Sequence, residues 1–376
     1  MKIAMYNLTT TTASGGIETF NKEMAKELSK RGHEVHIYGG KGKRIPECSL
    51  TVYIYPYKQR DKHPNFGTRF RKMAERWSMA RKAVRDLCTR RYDIIYISKP
   101  YDMPWALWAA KRSGAKVVFS SGGTEFFPGY GTLAKRVDLI TACSHFNADQ
   151  IEKQCGIHPV ILYNGVNTKR FKPLPAALKL KSRFSSDPET IILLSAGRLK
   201  RVKGFEYAIQ AVAKLVPKFQ NIIYLIAGDG QYMPHLKACA KLAGITKKVV
   251  FLGNVPNSRL PKYYSITDAS IFSSIHSEAF GMSAAEAMAC GVPVVGTTAG
   301  GIPEVIGDAG LLCPPKNSDM LAEKLDSLLS DSKLRKEMGE KGSRRINELF
   351  TWKHSGDTIE SYLLLMLQIN DSGGTR

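Results

Sequence analysis

Apolar residues recur along the chain in two alternating patterns. Short continuous runs read as buried parallel strands: Lys2 to Tyr6, Val35 to Tyr38, Thr51 to Tyr55, Asp93 to Ser98, Lys116 to Ser120, Val137 to Ala142 and Val160 to Tyr163. Between several of them the spacing lengthens to three or four, as at Ile17, Phe20, Met24 and Leu28, which predicts a helix over Ile17 to Arg31 closed by Gly32. Helices are likewise predicted over Pro104 to Ser113 and Ser144 to Cys155. Pro173 and Pro175 then break regular structure, and the alternation restarts. Strands are predicted at Thr190 to Ser195, Ile222 to Ala227, Val249 to Leu252, Ala269 to Phe272, Val292 to Val295 and Leu311-Leu312. Helices fall at Phe205 to Leu215, Tyr232 to Ala243, Arg259 to Ile266, Met282 to Ala289, Ser318 to Leu329 and Leu334 to Glu348. A last apolar helical stripe runs from Trp352 to Ile369, with Gly356 near its start allowing a bend. Two βα-repeating halves on either side of a proline linker predict an α/β protein of two Rossmann-like domains facing across a cleft, 1–172 and 173–352.

Composition changes this picture in one respect. The 376 residues suit two ordinary cores, and no run is apolar enough to span a bilayer. The start of the chain lacks a secretory apolar region, and the seven cysteines are scattered without a CxxC pair. Reduced thiols, no zinc site and a cytoplasmic location are expected. The formal charge of +22, however, calls for an acidic partner: nucleic acid, an anionic membrane or phosphorylated substrates. It concentrates in 57–92, where twelve Lys or Arg face three acids, a net +9. Phe70, Met73, Trp77, Val84 and Leu87 fall near one helical face there. Such a basic amphipathic helix fits peripheral contact with the inner face of an anionic membrane, or a surface helix packing Phe70 and Trp77 on the sheet. No nucleic-acid motif accompanies the charge, so no nucleic-acid partner is expected.

The candidate chemistry gathers around Ser274 to Gly301. A strand leads into a loop with Glu278 and Gly281, and a helix starts at Met282. The amides and positive dipole end of a helix start suit phosphate. Glu286 lies about 7–8 Å along the axis from Gly281 at 1.5 Å per residue, so two acids can meet opposite ends of one ligand. Arg198 and Lys203 follow one strand end and can clamp a diphosphate. Glu286 suits a ribose diol and Glu278 sugar hydroxyls. Gly15-Gly16 forms a tight turn before the first helix, and Glu125 sits in a glycine-rich turn after the strand ending at Ser120.

The segments SAGRLKRVKG, IAGDG, FLGNVP and SEAFGMSAAEAMACGVPVVGTTAGGIPEVI resemble the family-4 glycosyltransferases (glycosyl transferases group 1), with Glu278 and Glu286 as their E-x7-E element. GGIETF, LYNGVNTKRFKP and FTWKHSGDTIESY extend the resemblance over nearly the whole chain. It implies a GT-B architecture whose C-terminal helix, 353–376, crosses back onto an acceptor-side first domain. The second domain would then bind the donor. It implies a retaining hexosyltransferase using a nucleotide diphosphate sugar, GDP-mannose or a UDP-hexose, by a dissociative route needing no metal or other cofactor. Arg198 and Lys203 would bind the donor diphosphate, Glu278 the sugar and Glu286 the ribose. Backbone amides of Phe280, Gly281 and Met282 would meet sugar and phosphate, and Gly228, Gly230 and Gly253 would lie by the base. Gly15 and Gly16 would approach the diphosphate from the first domain.

The resemblance fails at one place. Many members carry a histidine in the turn where this chain has Gly122, and others near the preceding strand end, where it has Ile97-Ser98-Lys99. Lys99 and Glu125 are the substitutes the sequence offers on the acceptor side. The acceptor expected is an anionic or membrane-associated lipid or glycan. Two other readings share the scaffold: a non-catalytic binding protein for anionic lipid, and a sugar phosphorylase or synthase.

Overall fold

The computed structural model describes residues 1–13, 15–42, 49–123, 125–276 and 278–371. Cys48, Thr124, Ser277 and the residues after 371 lie outside them. The chain forms two compact units, Met1–Gly165 with Trp352–Arg376, and Val166–Thr351. The first division falls at Gly165/Val166 rather than at the 172/173 boundary expected from the prolines. Packing explains the shift: Phe171 is buried with its ring 6.4 Å from that of Tyr264, and Arg170 donates to Asn257 Oδ1 at 3.0 Å. The stretch before the prolines is thus already part of the second unit.

The first unit holds a seven-stranded parallel sheet: β1 (Lys2–Tyr6), β2 (Glu34–Gly40), β3 (Thr51–Tyr55), β4 (Ile94–Ile97), β5 (Lys116–Ser121), β6 (Leu139–Ala142) and β7 (Val160–Ile161). Their order is β3-β2-β1-β4-β5-β6-β7, so the winding reverses between β1 and β4. All four residues of β4 are buried, as a strand covered on both faces requires. The second unit repeats the plan with β8 (Ile191–Ala196), β9 (Ile222–Ala227), β10 (Val249–Gly253), β11 (Ala269–Phe272), β12 (Val294–Thr297) and β13 (Leu311–Cys313). Its order, β10-β9-β8-β11-β12-β13, reverses between β8 and β11. In such sheets ligands bind beyond the carboxyl ends of the strands flanking the reversal.

The last helix, Trp352–Asp371, packs on the first, Gly16–Lys30, inside the first unit. Trp352 meets Phe20 edge-on at 5.9 Å, and Ile359 and Leu363 join Met24 and Leu28 in one core. Arg31 ties the two helices, donating to Asp357 at 2.7 Å, Glu360 at 3.0 Å and Glu27 at 3.1 Å. Gly356 does not interrupt the helix, as its sequence position had suggested. A β-carbon there would lie 2.7 Å from Glu27 and 2.8 Å from Arg31, so this glycine serves close approach.

The basic segment contributes the helix Thr68–Thr89. Its buried stripe is Glu75, Arg76, Met79, Ala80, Ala83, Val84 and Leu87. Phe70, Met73 and Trp77 lie on the flank of that stripe and are 43%, 37% and 45% exposed, joined by Phe66 at 75%. They do not pack on the sheet. Upstream of Met79 the inward positions carry charge: Glu75 binds Arg60, and Arg76 pairs with fully buried Asp102. Reading apolar residues alone therefore rotates the inferred face.

No helix of the described residues is long and apolar enough to cross a membrane. Six described cysteines are free thiols.

Candidate active site

The loops after β8 and β11 meet at the reversal of the second sheet. The β8 loop carries Arg198 and, after a short turn Arg201–Lys203, Gly204 at the start of the helix Phe205–Leu215. Gly204 has φ of +61°, and a β-carbon on it would stand 2.1 Å from the Ser273 carbonyl oxygen. Only glycine lets the two loops come this close. The Ile275 amide donates to Val202 O at 3.0 Å and the Ser273 hydroxyl to Lys203 O at 3.2 Å, locking the loops together.

This contact brings Lys203 to Glu278, Nζ to Oε2 at 2.5 Å, with each side chain about a quarter exposed. The Lys203 ammonium also lies 5.6 Å above the Phe272 ring. Arg198 is exposed, and no carboxylate among the described residues pairs with it. The backbone of Glu278 is held by the Gly301 amide, which donates to its carbonyl at 2.7 Å.

The helix Met282–Ala289 starts from Gly281, in the left-handed conformation at φ +108°. Phe280 is buried against Phe350, ring centroids 5.5 Å apart, and anchors this start. Glu286, inside the helix, is 8% exposed. Burial pushes its carboxyl up to about 7, against the pull of a hydrogen bond from Asn257 and of the Arg170 charge. Asn257 Nδ2 donates to Glu286 Oε1 at 2.9 Å. Gly228 and Gly230 follow β9 beside the Arg198 loop, where the Leu199 amide donates to Asp229 O at 2.9 Å. Gly253 ends β10, its carbonyl accepting from the Gly228 amide at 2.8 Å. Arg198, Lys203, Gly228, Gly230, Gly253, Glu278, Phe280, Gly281, Met282 and Glu286 thus share one unit and its strand-end rim.

Gly15, Gly16, Lys99 and Glu125 belong to the first unit. Gly15 precedes the first helix and Lys99 follows β4, flanking the reversal of that sheet. Burial pushes the Lys99 ammonium down to about 8, with Glu18 pulling the other way. Glu125 is ion-paired with Lys72 of the basic helix. At Gly122 a β-carbon would come within 3.0 Å of Ile17, so the turn has little room for a larger residue.

Sequence reasoning missed three partners. Glu18 is buried and accepts from the Thr9 hydroxyl at 2.6 Å; its place in GGIETF was the available signal. Asn257 and Arg170 form a relay to Glu286 that no local spacing announces. Among the described residues no three His, Cys, Asp or Glu side chains converge as a metal site requires.

The family described as "Glycosyl transferases group 1" matches residues 178–345, and "Glycosyltransferase Family 4" matches residues 14–170. An uncharacterized glycosyltransferase of Methanocaldococcus jannaschii is 30% identical over 385 residues, 94% of this chain and 95% of the relative. The N-acetyl-alpha-D-glucosaminyl L-malate synthase of Bacillus anthracis is 28% identical over 359 residues, 89% of this chain and 90% of the relative. Among solved structures, sucrose-phosphate synthase from Thermosynechococcus elongatus superposes with a TM-score of 0.84 at 18% identity, covering 98% of this chain and 99% of that one. That likeness is one of fold, GT-B. With matches spanning both units, the chain belongs to the family-4 glycosyltransferases, enzymes that transfer a sugar from a nucleotide-sugar donor.

Proposed function

We propose that this chain is a retaining hexosyltransferase, moving a hexose from GDP-mannose or a UDP-hexose to an anionic, membrane-associated lipid or glycan acceptor. The observation that carries the reading is the convergence of Lys203, Glu278, the helix start at Met282 and Glu286 on one sheet reversal. The second unit, Val166–Thr351, forms the donor domain. The first unit with its returning last helix forms the acceptor side, where Lys99 and Glu125 stand in the place of the family's histidine.

Each group has a task set by its chemistry. Arg198, exposed and with no carboxylate partner among the described residues, meets the donor diphosphate, as does Lys203. As the glycosidic bond lengthens, negative charge grows on the leaving phosphate, and these cations stabilise it more than they stabilise the ground state. Amides of Phe280, Gly281 and Met282 meet the sugar and phosphate, and the positive end of the helix adds to the effect. Glu278, already bonded to Lys203, turns its other lone pairs to sugar hydroxyls. Glu286 accepts from the ribose, with Asn257 fixing its carboxyl plane. Gly228, Gly230 and Gly253 border the base, and Gly15 and Gly16 bring backbone amides to the diphosphate. The departing phosphate oxygen takes the acceptor's proton on the face the leaving group vacates, which preserves the anomeric configuration. No step in this route calls on a metal.

The basic helix, with Phe70, Met73 and Trp77 exposed, Phe66 just before it and Arg81 over the Trp77 ring, supports peripheral binding to the cytoplasmic face of an anionic membrane. The relative named for a malate conjugate supports an anionic acceptor. The test is sugar transfer from a panel of nucleotide sugars by the purified chain, with the product anomer read by NMR. Glu278→Gln is expected to lower kcat about 100-fold or more at unchanged melting temperature. An inverted anomer, or full transfer by that variant, overturns the assignment.

A further inference from the structure

Four lysines in the first unit line one cavity, and among the described residues none of them has an acidic partner. Lys41 follows β2, Lys58 and Lys62 follow β3, and Lys82 projects from the basic helix one turn after Ser78. Tyr57 and Gln59 complete a chamber of about 530 Å³, within the range of small-molecule sites. Among the described residues no Asp or Glu lines it, and none pairs with these lysines. Of the nearby described acids, Glu75 holds Arg60 through both oxygens, and Asp86 accepts from the Tyr55 hydroxyl and faces Arg90, while Asp61, next to Lys62, is exposed and does not line the cavity.

The backbone beneath the cavity is held before any ligand arrives, while the lysine side chains are exposed. The Lys58 amide donates to the Ser78 hydroxyl oxygen at 2.9 Å, and that hydroxyl donates to Glu75 O at 2.6 Å, pinning the β3 loop to the helix. Tyr57 lies so close to Gly40 that a β-carbon there would stand 2.9 Å from its ring. Like charges held around one concavity repel, and a multiply charged anion between them turns the repulsion into attraction. A carboxylate carries one charge and two oxygens. A phosphoryl group brings up to two charges and three acceptor oxygens, a better match to four point-charge donors.

The cavity is not an extension of the apolar membrane patch. At about 100° per residue, Ser78 and Lys82 are centred about 130° round the helix from Phe70, Met73 and Trp77, on the other flank of its buried stripe. It opens at the carboxyl ends of β2 and β3, on the rim that also carries Gly15 after β1 and Lys99 after β4.

We propose that this cavity binds a phosphoryl group, free or as an ester, among the ammoniums of Lys41, Lys58, Lys62 and Lys82. Tyr57 and Gln59 meet the rest of the ligand. Resting on the transferase reading above, the occupant is the phosphate-bearing part of the sugar acceptor.

Amine labelling of the whole wild-type chain, read by mass spectrometry, tests this without sugar transfer. Glycerol 3-phosphate is expected to reduce labelling of Lys41, Lys58, Lys62 and Lys82 about tenfold at saturation. Labelling of Lys179, Lys241 and Lys247 in the second unit stays unchanged, and uncharged glycerol protects none of them. Equal protection by inorganic phosphate supports the site with free phosphate as occupant, and stronger protection by the ester supports an esterified ligand. Protection only by phosphatidic acid vesicles supports the site with a lipid headgroup as the phosphate ester, whereas equal loss at the second-unit lysines or no protection overturns the proposal. Because labelling needs no donor, its failure leaves the transferase reading standing, and a transfer-dead Arg198→Ala variant leaves this one standing.

Discussion

Glu286 is the residue whose protonation the fold changes most consequentially. Its folded value of about 7 stands above the ordinary 4.5, because burial disfavours the anion. Across that interval the unfolded chain gives up the proton while the native chain keeps it. The stabilisation is complete below about pH 4.5 and is lost as pH rises through about 7. Wild type should therefore lose stability relative to Glu286→Gln over that window, by an amount of order 3 kcal/mol, and run parallel to it above. Urea midpoints across pH check this; parallel curves throughout would show that burial is not perturbing the carboxyl. The sequence placed Glu286 beside a helix start through the E-x7-E spacing. It did not announce Asn257, which reaches the carboxyl from another loop, because a hydrogen bond between distant segments leaves no periodic trace.

At the level of elements, strands and long helices were legible wherever apolar spacing was regular. Ile222–Ala227 and Phe205–Leu215 stand where the pattern put them. Short elements such as Tyr130–Ala134 and Ile302–Ile306 were not, since one turn is too brief to establish a period. The basic helix shows a deeper failure, because two inward positions are occupied by charges paired inside, Arg76 and Glu75. The join between the β8 and β11 loops makes its own prediction. Gly204→Ala pushes a methyl group at the Ser273 carbonyl from a left-handed backbone and should cost about 2–4 kcal/mol. Faster amide exchange at Ile275 and weaker donor binding would accompany it. An unchanged exchange rate would mean the loops are not joined there. Likewise Arg31→Ala removes three charge-assisted bonds to the last helix, those to Asp357, Glu360 and the Lys353 carbonyl, and should cost about 2–3 kcal/mol. Limited proteolysis within Trp352–Asp371 reads that loss.

Across the whole molecule, the two-fold restart of the βα pattern foretold two sheets, and the resemblance foretold the return of the last helix. Neither foretold which way the apolar flank of the basic helix would turn. With Phe70 and Trp77 outward, Trp77→Ala with Phe70→Ala should weaken binding to anionic vesicles about tenfold or more. Raising salt should weaken it further, through the net +9 of the segment. Binding that ignores both salt and anionic lipid would remove the membrane from the proposal.

The return of the helix Trp352–Asp371 to the first unit also sets an order of events during synthesis. Domains usually mature from the N-terminus as the ribosome delivers them. Here the first-made sheet must wait, with the Phe20, Met24 and Leu28 face of its first helix uncovered, until the second unit has been made. The unit begun last is therefore the first able to finish. Ribosome-arrested chains in which Thr351 has just cleared the exit tunnel should hold a protease-resistant second unit and a first unit that a chaperone still recognises, and the helix Trp352–Asp371, once released, ends that dependence.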